Sequence, residues 1–140
     1  MIYLLLGTNL GCKRANLCKA RKLLKKALNT DFVKTKVLKT KAIGFDGPSF
    51  LNQVIAFSAS DSLTPEFLLD LCQKVEREMG RPPHKAEYDA EGCRVYESRV
   101  IDIDILMFED LAIDTERLKI PHPQVTERPF VKELLNQIIK

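Results

Sequence analysis

Two aspartates separated by one residue carry the clearest chemical signal in the chain. Asp102 and Asp104 lie in the run Arg-Val-Ile-Asp-Ile-Asp-Ile, which covers residues 99–105. This alternation has the period of a β-strand, so the isoleucines face one side and both carboxylates face the other. Carboxylates about 6.5–7 Å apart along a strand can lean over one divalent cation, or over two cations ~3.5–4 Å apart. Such cations bind polyphosphates, and Arg99 is placed to neutralise phosphate charge.

The alternative for this segment is a half-buried strand whose outer face is simply solvated. Aspartate is a poor strand former, and two adjacent like charges repel each other unless something compensates. We therefore favour a metal or phosphate site at Asp102 and Asp104.

Composition sets the broad class of the protein. The 140 residues, 45% of them apolar and 29% charged, predict one globular domain. No stretch reaches the ~20 apolar residues of a membrane helix, and the four cysteines form no C-x-x-C pair. We expect a cytoplasmic protein with reduced thiols, with Cys72 as core filler, and with no membrane partner.

Basic residues are concentrated near the amino terminus. The net charge is only +3, but half of the 22 basic residues lie within residues 13–41. Most of them occupy the polar positions of an amphipathic helix, so a solvated helix face is favoured over nucleic-acid binding.

The order of predicted elements indicates the fold. Periodicity predicts strands at residues 2–6, 32–40, 50–59 and 100–108, and helices at 13–28 and 65–80. Residues 7–11 are interpreted as a turn, and Thr64-Pro65 as a helix start. The β-α-β-β-α-β order is that of an α+β, ferredoxin-like sandwich, an antiparallel sheet with both helices on one face. A C-terminal extension should end in a short helix over residues 129–139.

A long segment for which the sequence predicts no regular structure, residues 81–98, precedes the predicted aspartate strand. It contains Arg81, His84, Lys85 and Arg94. A cationic loop of this length suits closure over a polyphosphate, and the alternative is an insertion without function.

His122 stands between two prolines, which should hold it extended and exposed. It could meet a phosphate or move a proton, although such a histidine is often only a loop residue. Arg117 and Arg128 on either side favour anion binding. Phe50 and Phe130 lie at loop edges, where they could stack on a flat ring or simply pack in the core.

Five motifs occur together in a specific order. They are Leu-Gly-Thr-Asn-Leu-Gly at 6–11, Phe-Leu-Asn-Gln-Val at 50–54, the aspartate run, Ile-Pro-His-Pro at 120–123 and Arg-Pro-Phe-Val at 128–131. In these motifs the chain resembles the 6-hydroxymethyl-7,8-dihydropterin pyrophosphokinases of folate biosynthesis over nearly its whole length. The resemblance implies a ferredoxin-like fold and transfer of pyrophosphate from ATP to the pterin hydroxymethyl group, with release of AMP.

The resemblance also implies roles for individual residues. Two Mg²⁺ ions would be held by Asp102 and Asp104. The implied catalytic residues are Arg81, Arg99, Asp102, Asp104 and His122. The implied ATP-binding residues are Leu69, Gln73, Arg81, Tyr96, Arg99, Ile105, Arg117, Lys119, His122 and Arg128. The implied pterin-binding residues are Thr40, Ile43, Phe50, Asn52, Asp102 and Phe130.

Some positions depart from the family pattern or carry no assigned role. Tyr96 stands where a tryptophan is common, Pro83 where a second arginine is common, and Pro123 where an aromatic residue is common. Glu76 matches an acidic position of the family on the second helix, without a role. We expect a monomer or a weak dimer.

Two other classes of protein share this order of elements. An RNA-recognition motif would carry stacking aromatics on its central strands, which residues 51–57 lack, and paired aspartates would repel RNA phosphates. A ferredoxin-like domain that only binds a ligand would need neither the aspartate pair nor a cationic loop.

Overall fold

The computed structural model describes residues 1–41, 48–80 and 100–139. Its main elements are β1 (Ile2–Thr8), α1 (Lys13–Leu28), β2 (Val33–Lys34), β3 (Leu38–Thr40), β4 (Phe50–Phe57), α2 (Pro65–Glu78) and β5 (Asp102–Phe108). They are followed by β6 (Ile113–Asp114), β7 (Lys119–Ile120), α3 (Gln124–Glu127) and α4 (Pro129–Asn136).

The main sheet is antiparallel, in the order β2-β4-β1-β5, with β3 also paired to β4. β1 therefore lies in the centre and β5 at an edge. This topology confirms the predicted ferredoxin-like α+β class. A separate two-stranded sheet pairs β6 with β7.

One face of the sheet packs against α1 and α2. The isoleucines of the aspartate run belong to this helix-side core, as the alternation predicted. Cys72 is fully buried there, and burial raises the pKa of its thiol, which suits an inert core residue. Other fully buried members of this core are Ile2, Leu4, Leu6, Leu24, Ile55 and Leu68.

The opposite face is covered by α4, which the sequence pattern did not indicate. Its apolar side forms a second, smaller core with Leu5, Val54 and Leu106 of the sheet. The start of α4 at Pro129 agrees with the prediction, but the helix ends at Asn136, earlier than expected. The carboxyl-terminal helix thus completes the sandwich and limits how far the site on this face can extend.

The prediction of one strand over residues 32–40 was wrong. β2 and β3 both pair with β4, through Lys34↔Ile55 and Leu38↔Asn52. Between these pairs the segment that joins β2 to β3 has one residue more than β4, which makes a bulge. The Thr35 hydroxyl accepts from the Val54 backbone N–H at 3.1 Å and so replaces a ladder bond. Both residues of β2, Val33 and Lys34, are exposed.

The helix starts were largely predictable. The Thr64 hydroxyl caps α2 by accepting from the Phe67 backbone N–H at 3.2 Å, and Pro65 is the first helical residue. The interpretation of residues 7–11 as a turn was wrong for Gly7 and Thr8, which still belong to β1. In the described residues, no helix has the length and apolarity needed to cross a membrane.

Candidate active site

The two aspartates lie on the sheet face that α4 covers, near the start of the edge strand β5. Both are half-buried, whereas Ile101, Ile103 and Ile105 are buried on the helix side. Strand alternation therefore does place both carboxylates on one face. Because Asp102 begins the strand, the pair lies near one end of the sheet.

Gly7 separates Asp102 from Asn52 across the sheet. In the register of β1, Gly7 is paired with Asp102 on one side and with Asn52 on the other. Two strand spacings put the backbones of Asp102 and Asn52 about 10 Å apart. Because Gly7 has no side chain, the floor between a carboxylate and an amide is bare backbone, which leaves room for a flat ligand.

Asn52 is held rigidly and presents an acceptor to this floor. Its Nδ2 donates to the Leu38 carbonyl at 3.1 Å and to the Thr40 hydroxyl at 2.9 Å. Its Oδ1 lies 3.4 Å from the position that a Cβ of Gly7 would occupy. Within the described part of the chain no donor reaches Oδ1, although Asn52 is only 5% exposed. A buried acceptor of this kind favours a ligand that brings an N–H group.

The turn after β7 brings His122 to β5. The backbone N–H of His122 donates to the Leu106 carbonyl at 2.9 Å. Its ring Nδ1 accepts from the backbone N–H of Gln124 at 3.1 Å. Because a backbone N–H can only donate, Nδ1 carries the lone pair, and the ring proton sits on Nε2. The ring is therefore a neutral donor through Nε2.

His122 is half-buried, and the expectation that its side chain is exposed was wrong. Pro123 has helical angles (φ −53°, ψ −31°) and leads into α3, which folds the chain back over the ring. Burial lowers the pKa of His122 below its usual 6.5, and the charge of Arg128 acts in the same direction. The nearby carboxylates of Asp102 and Glu127 oppose this shift.

Several residues expected near ATP gather around α2 and the segment before β7. The Arg117 guanidinium pairs with Asp70 of α2 and approaches Oε1 of Gln73 at 3.4 Å. Leu69, on the same helix, is partly buried against the helix-side core, in which Ile105 is buried. Lys119 is exposed on β7 and lies 4.0 Å from Asp114. The structure thus brings Arg117 and Gln73 together. Ile105 packs in the helix-side core.

The two aromatic residues expected at the pterin lie on one face of the sheet. Phe50 and Asn52 are two residues apart on β4 and so face the same side of the sheet. The Phe50 ring lies 3.7 Å from the position that a Cβ of Gly7 would occupy. Phe130 packs against the second core on this same face. The Arg128 guanidinium lies 5.8 Å from the centre of the Phe130 ring, a cation–π contact that orients both.

Four of the predicted site residues, Ile43, Arg81, Tyr96 and Arg99, lie outside the described residues, as does the segment 81–98.

The start of β4 is tied to the turn after β1, because Asn9 Nδ2 donates to the Pro48 carbonyl at 3.1 Å. Lys13 Nζ likewise donates to the Ser49 carbonyl at 2.8 Å. These contacts fix the chain where it enters the strand that carries Phe50 and Asn52.

Sequence reasoning missed three residues of the site. Gln124 donates from Nε2 to Oδ2 of Asp104 at 3.1 Å and so joins the aspartates to the histidine turn. Glu76, left without a role, accepts from the Ile103 backbone N–H at 3.0 Å. Gly7 was interpreted as part of a turn. In the sequence, only the Gly-rich motif around Gly7 and the closeness of Gln124 to His122 indicated that these residues belong to the site.

The donor set fits Mg²⁺. This ion prefers oxygen ligands and is commonly held by one or two carboxylates, with water and substrate phosphates completing its shell. Asp102 and Asp104 provide such a pair, half-buried beside the open floor at Gly7. Among the described residues no group of three or more potential metal-ligating side chains exists.

The fold and the site define a class of protein, an α+β sandwich with a pair of half-buried carboxylates beside the bare backbone of Gly7. Comparison with known proteins is consistent with this class. The family model of 7,8-dihydro-6-hydroxymethylpterin-pyrophosphokinase matches residues 3–140. The chain belongs to this family, and it is a pyrophosphokinase that transfers pyrophosphate to hydroxymethyldihydropterin in folate biosynthesis.

Three curated relatives share one name, 2-amino-4-hydroxy-6-hydroxymethyldihydropteridine pyrophosphokinase. The one from Porphyromonas gingivalis is 33% identical over 140 residues, covering 99% of this chain and 90% of the relative. The one from Aquifex aeolicus is 38% identical, covering 92% and 74%. The one from Bacillus subtilis is 33% identical, covering 97% and 76%.

Proposed function

We propose that ATP is the pyrophosphate donor, that two Mg²⁺ ions are required, and that Asp102 and Asp104 hold them. The observation that carries this proposal is the register of the sheet. It places the carboxylate of Asp102 and the amide of Asn52 on either side of the bare Gly7 backbone. A pterin at Asn52 would therefore have its reactive arm directed toward phosphates bound at the aspartates.

The reaction needs little covalent chemistry from the protein. The hydroxymethyl oxygen bonds to the β-phosphorus, the bond from that phosphorus to the α-phosphate oxygen breaks, AMP leaves, and the hydroxyl proton is released. Bound Mg²⁺ supplies charge neutralisation and alignment of the phosphate oxygens. The rest of the rate enhancement comes from positioning and from fixed dipoles.

On the nucleotide side, some residues would donate to the phosphates and others would line the ATP site. His122 would donate from Nε2 as a neutral imidazole, because its Nδ1 is occupied by Gln124. Arg128 would add positive charge, and Arg117 would contact the nucleotide beside Gln73. Leu69, Ile105, Lys119 and Tyr96 would line the ATP side, and Arg81 and Arg99 would clamp the triphosphate.

On the pterin side, one hydrogen-bond acceptor and two aromatic rings would recognise the pterin. The Oδ1 of Asn52 would accept from a ring N–H, because its own Nδ2 is bound to Leu38 and Thr40. Phe50 and Phe130 would stack on the two faces of the ring. Asp102 and the backbone near Thr40 and Ile43 would complete the contacts.

Product analysis tests the proposal. The protein is mixed with ATP, Mg²⁺ and 6-hydroxymethyl-7,8-dihydropterin, and the nucleotide products are separated. AMP that forms only with the pterin supports pyrophosphoryl transfer from ATP, and chelation with EDTA should stop it. ADP in place of AMP would contradict the proposal and indicate an ordinary kinase reaction. The expected cytoplasmic location and monomeric or weakly dimeric state remain predictions.

A further inference from the structure

Gln124 contacts both Asp104, a proposed metal ligand, and His122, a proposed donor to the phosphates. The Nε2 atom of Gln124 donates to Oδ2 of Asp104 at 3.1 Å. The backbone N–H of the same residue donates to Nδ1 of His122 at 3.1 Å. We infer that Gln124 is a positioning residue that holds the Asp104 carboxylate for its metal ion and fixes the tautomer of His122.

The position of Gln124 in the fold explains both contacts. It is the first residue of α3, where backbone N–H groups have no partner inside the helix. The imidazole of His122, two residues earlier, takes one of these donors. The side chain is half-buried and reaches across to β5, so both contacts start from one short, fixed turn.

The contact with Asp104 matters because a carboxylate that binds a metal must keep one orientation. Partners in the outer shell of a metal site hold the ligands in place, and their loss commonly costs 10–100-fold in metal affinity or activity. An amide is suited to this task, because it donates to one carboxylate oxygen without a positive charge that would compete with the cation. This inference rests on the proposed function, since it takes Asp104 as a metal ligand.

The variant Gln124→Met tests the side-chain contact. Methionine has a similar length but no donor, and the backbone N–H to His122 remains. Gln137→Met is a matched control, because Gln137 also makes one side-chain hydrogen bond, to the Lys36 backbone N–H at 2.9 Å, and it lies after the end of α4. Thermal unfolding checks that each variant folds. Gln124→Asn, whose amide is too short to reach Asp104, replaces the methionine variant if that variant does not fold.

The first readout is Mn²⁺ binding, measured by electron paramagnetic resonance in the presence of a non-hydrolysable ATP analogue. We expect a dissociation constant about tenfold higher in Gln124→Met and unchanged in Gln137→Met. In turnover assays, the Mg²⁺ concentration for half-maximal rate should rise by a similar factor, with kcat recovering at saturating Mg²⁺. Equal Mn²⁺ affinity in all three proteins would overturn the inference, as would a wild-type protein that binds no Mn²⁺.

The second readout concerns His122 and needs no activity. Nitrogen-15 chemical shifts of the imidazole should report a proton on Nε2 in the wild-type protein and in Gln124→Met, because the backbone donor is kept. A proton on Nδ1 in the wild-type protein would overturn the tautomer assignment. If Mn²⁺ affinity falls in Gln124→Met as expected but the wild-type protein yields no AMP, the proposed donor is wrong while the positioning role stands.

Discussion

The Oε2 atom of Glu76 accepts a hydrogen bond from the backbone N–H of Ile103 at 3.0 Å. Ile103 lies between the two aspartates on β5, the edge strand of the sheet. The outward N–H of an edge strand has no partner within the sheet, and here a side chain of α2 that is 7% exposed satisfies it. The second helix thus fixes the strand segment on which both carboxylates stand.

Removal of this acceptor should destabilise the protein. Glu76→Ala leaves the buried Ile103 N–H without it, and we expect the free energy of unfolding to fall by about 1–3 kcal/mol. Glu76→Gln keeps an acceptor oxygen and should lose less. Urea unfolding measures both, with Glu78→Ala, an exposed position on the same helix, as control. Equal stability of Glu76→Ala and Glu78→Ala would contradict the structural role.

The aspartate pair should be essential for turnover but not for folding. Asp102→Ala or Asp104→Ala removes a charged ligand at the centre of charge stabilisation, so we expect a fall in kcat of at least about a hundredfold. Both side chains are half-buried and face the cleft, so thermal unfolding should change little. Asp110→Ala, at an exposed position in the turn after β5, is the control. Wild-type rates in either aspartate variant would exclude the metal assignment.

Local periodicity made most of the fold predictable. The alternation around Ile103 and the apolar stripe of α2 each depend on residues close in sequence, and packing agreed with both. The bulge at Thr35 could not be predicted, because it depends on the Val54 N–H and the side chain of Gln53, both distant in sequence. The cover that α4 gives to the second face is also a tertiary property.

The candidate site divides along the same line. The positions of Asp102 and Asp104 on one face followed from the strand alone. The roles of the other site residues were predicted from the motifs and stay predictions. The contact of Gln124 with Asp104 spans 20 residues and depends on how the turn after β7 folds back. The importance of Gly7 appears only when its neighbours on both adjacent strands are known.

Gly7 should be replaceable without loss of the fold but with loss of pterin binding. A Cβ there would lie 3.4 Å from Asn52 Oδ1 and 3.7 Å from the Phe50 ring, both van der Waals contacts. The methyl group would nevertheless occupy the floor of the cleft. We expect Gly7→Ala to raise the KM for the pterin about tenfold, with little change in the KM for ATP. An unchanged pterin KM would place the pterin elsewhere.

The pH dependence of His122 follows from its tautomer. Burial lowers its pKa below the usual 6.5, so the folded state favours the neutral ring. The stabilisation by this preference is complete above the unfolded pKa of about 6.5 and is lost as the pH falls through the lower pKa of the folded protein. Protonation of Nδ1 would also break the bond from the Gln124 N–H, so turnover should fall in this acidic range.

Proton NMR can measure this directly, because the chain has only two histidines. The ring resonances of His122, assigned with the variant His122→Gln, should titrate with a midpoint below 6.5. The same variant should lose the acidic step in the pH profile of unfolding that belongs to His122. A midpoint above 6.5 would mean that the carboxylates of Asp102 and Glu127 outweigh burial, and it would contradict the expected direction of the shift.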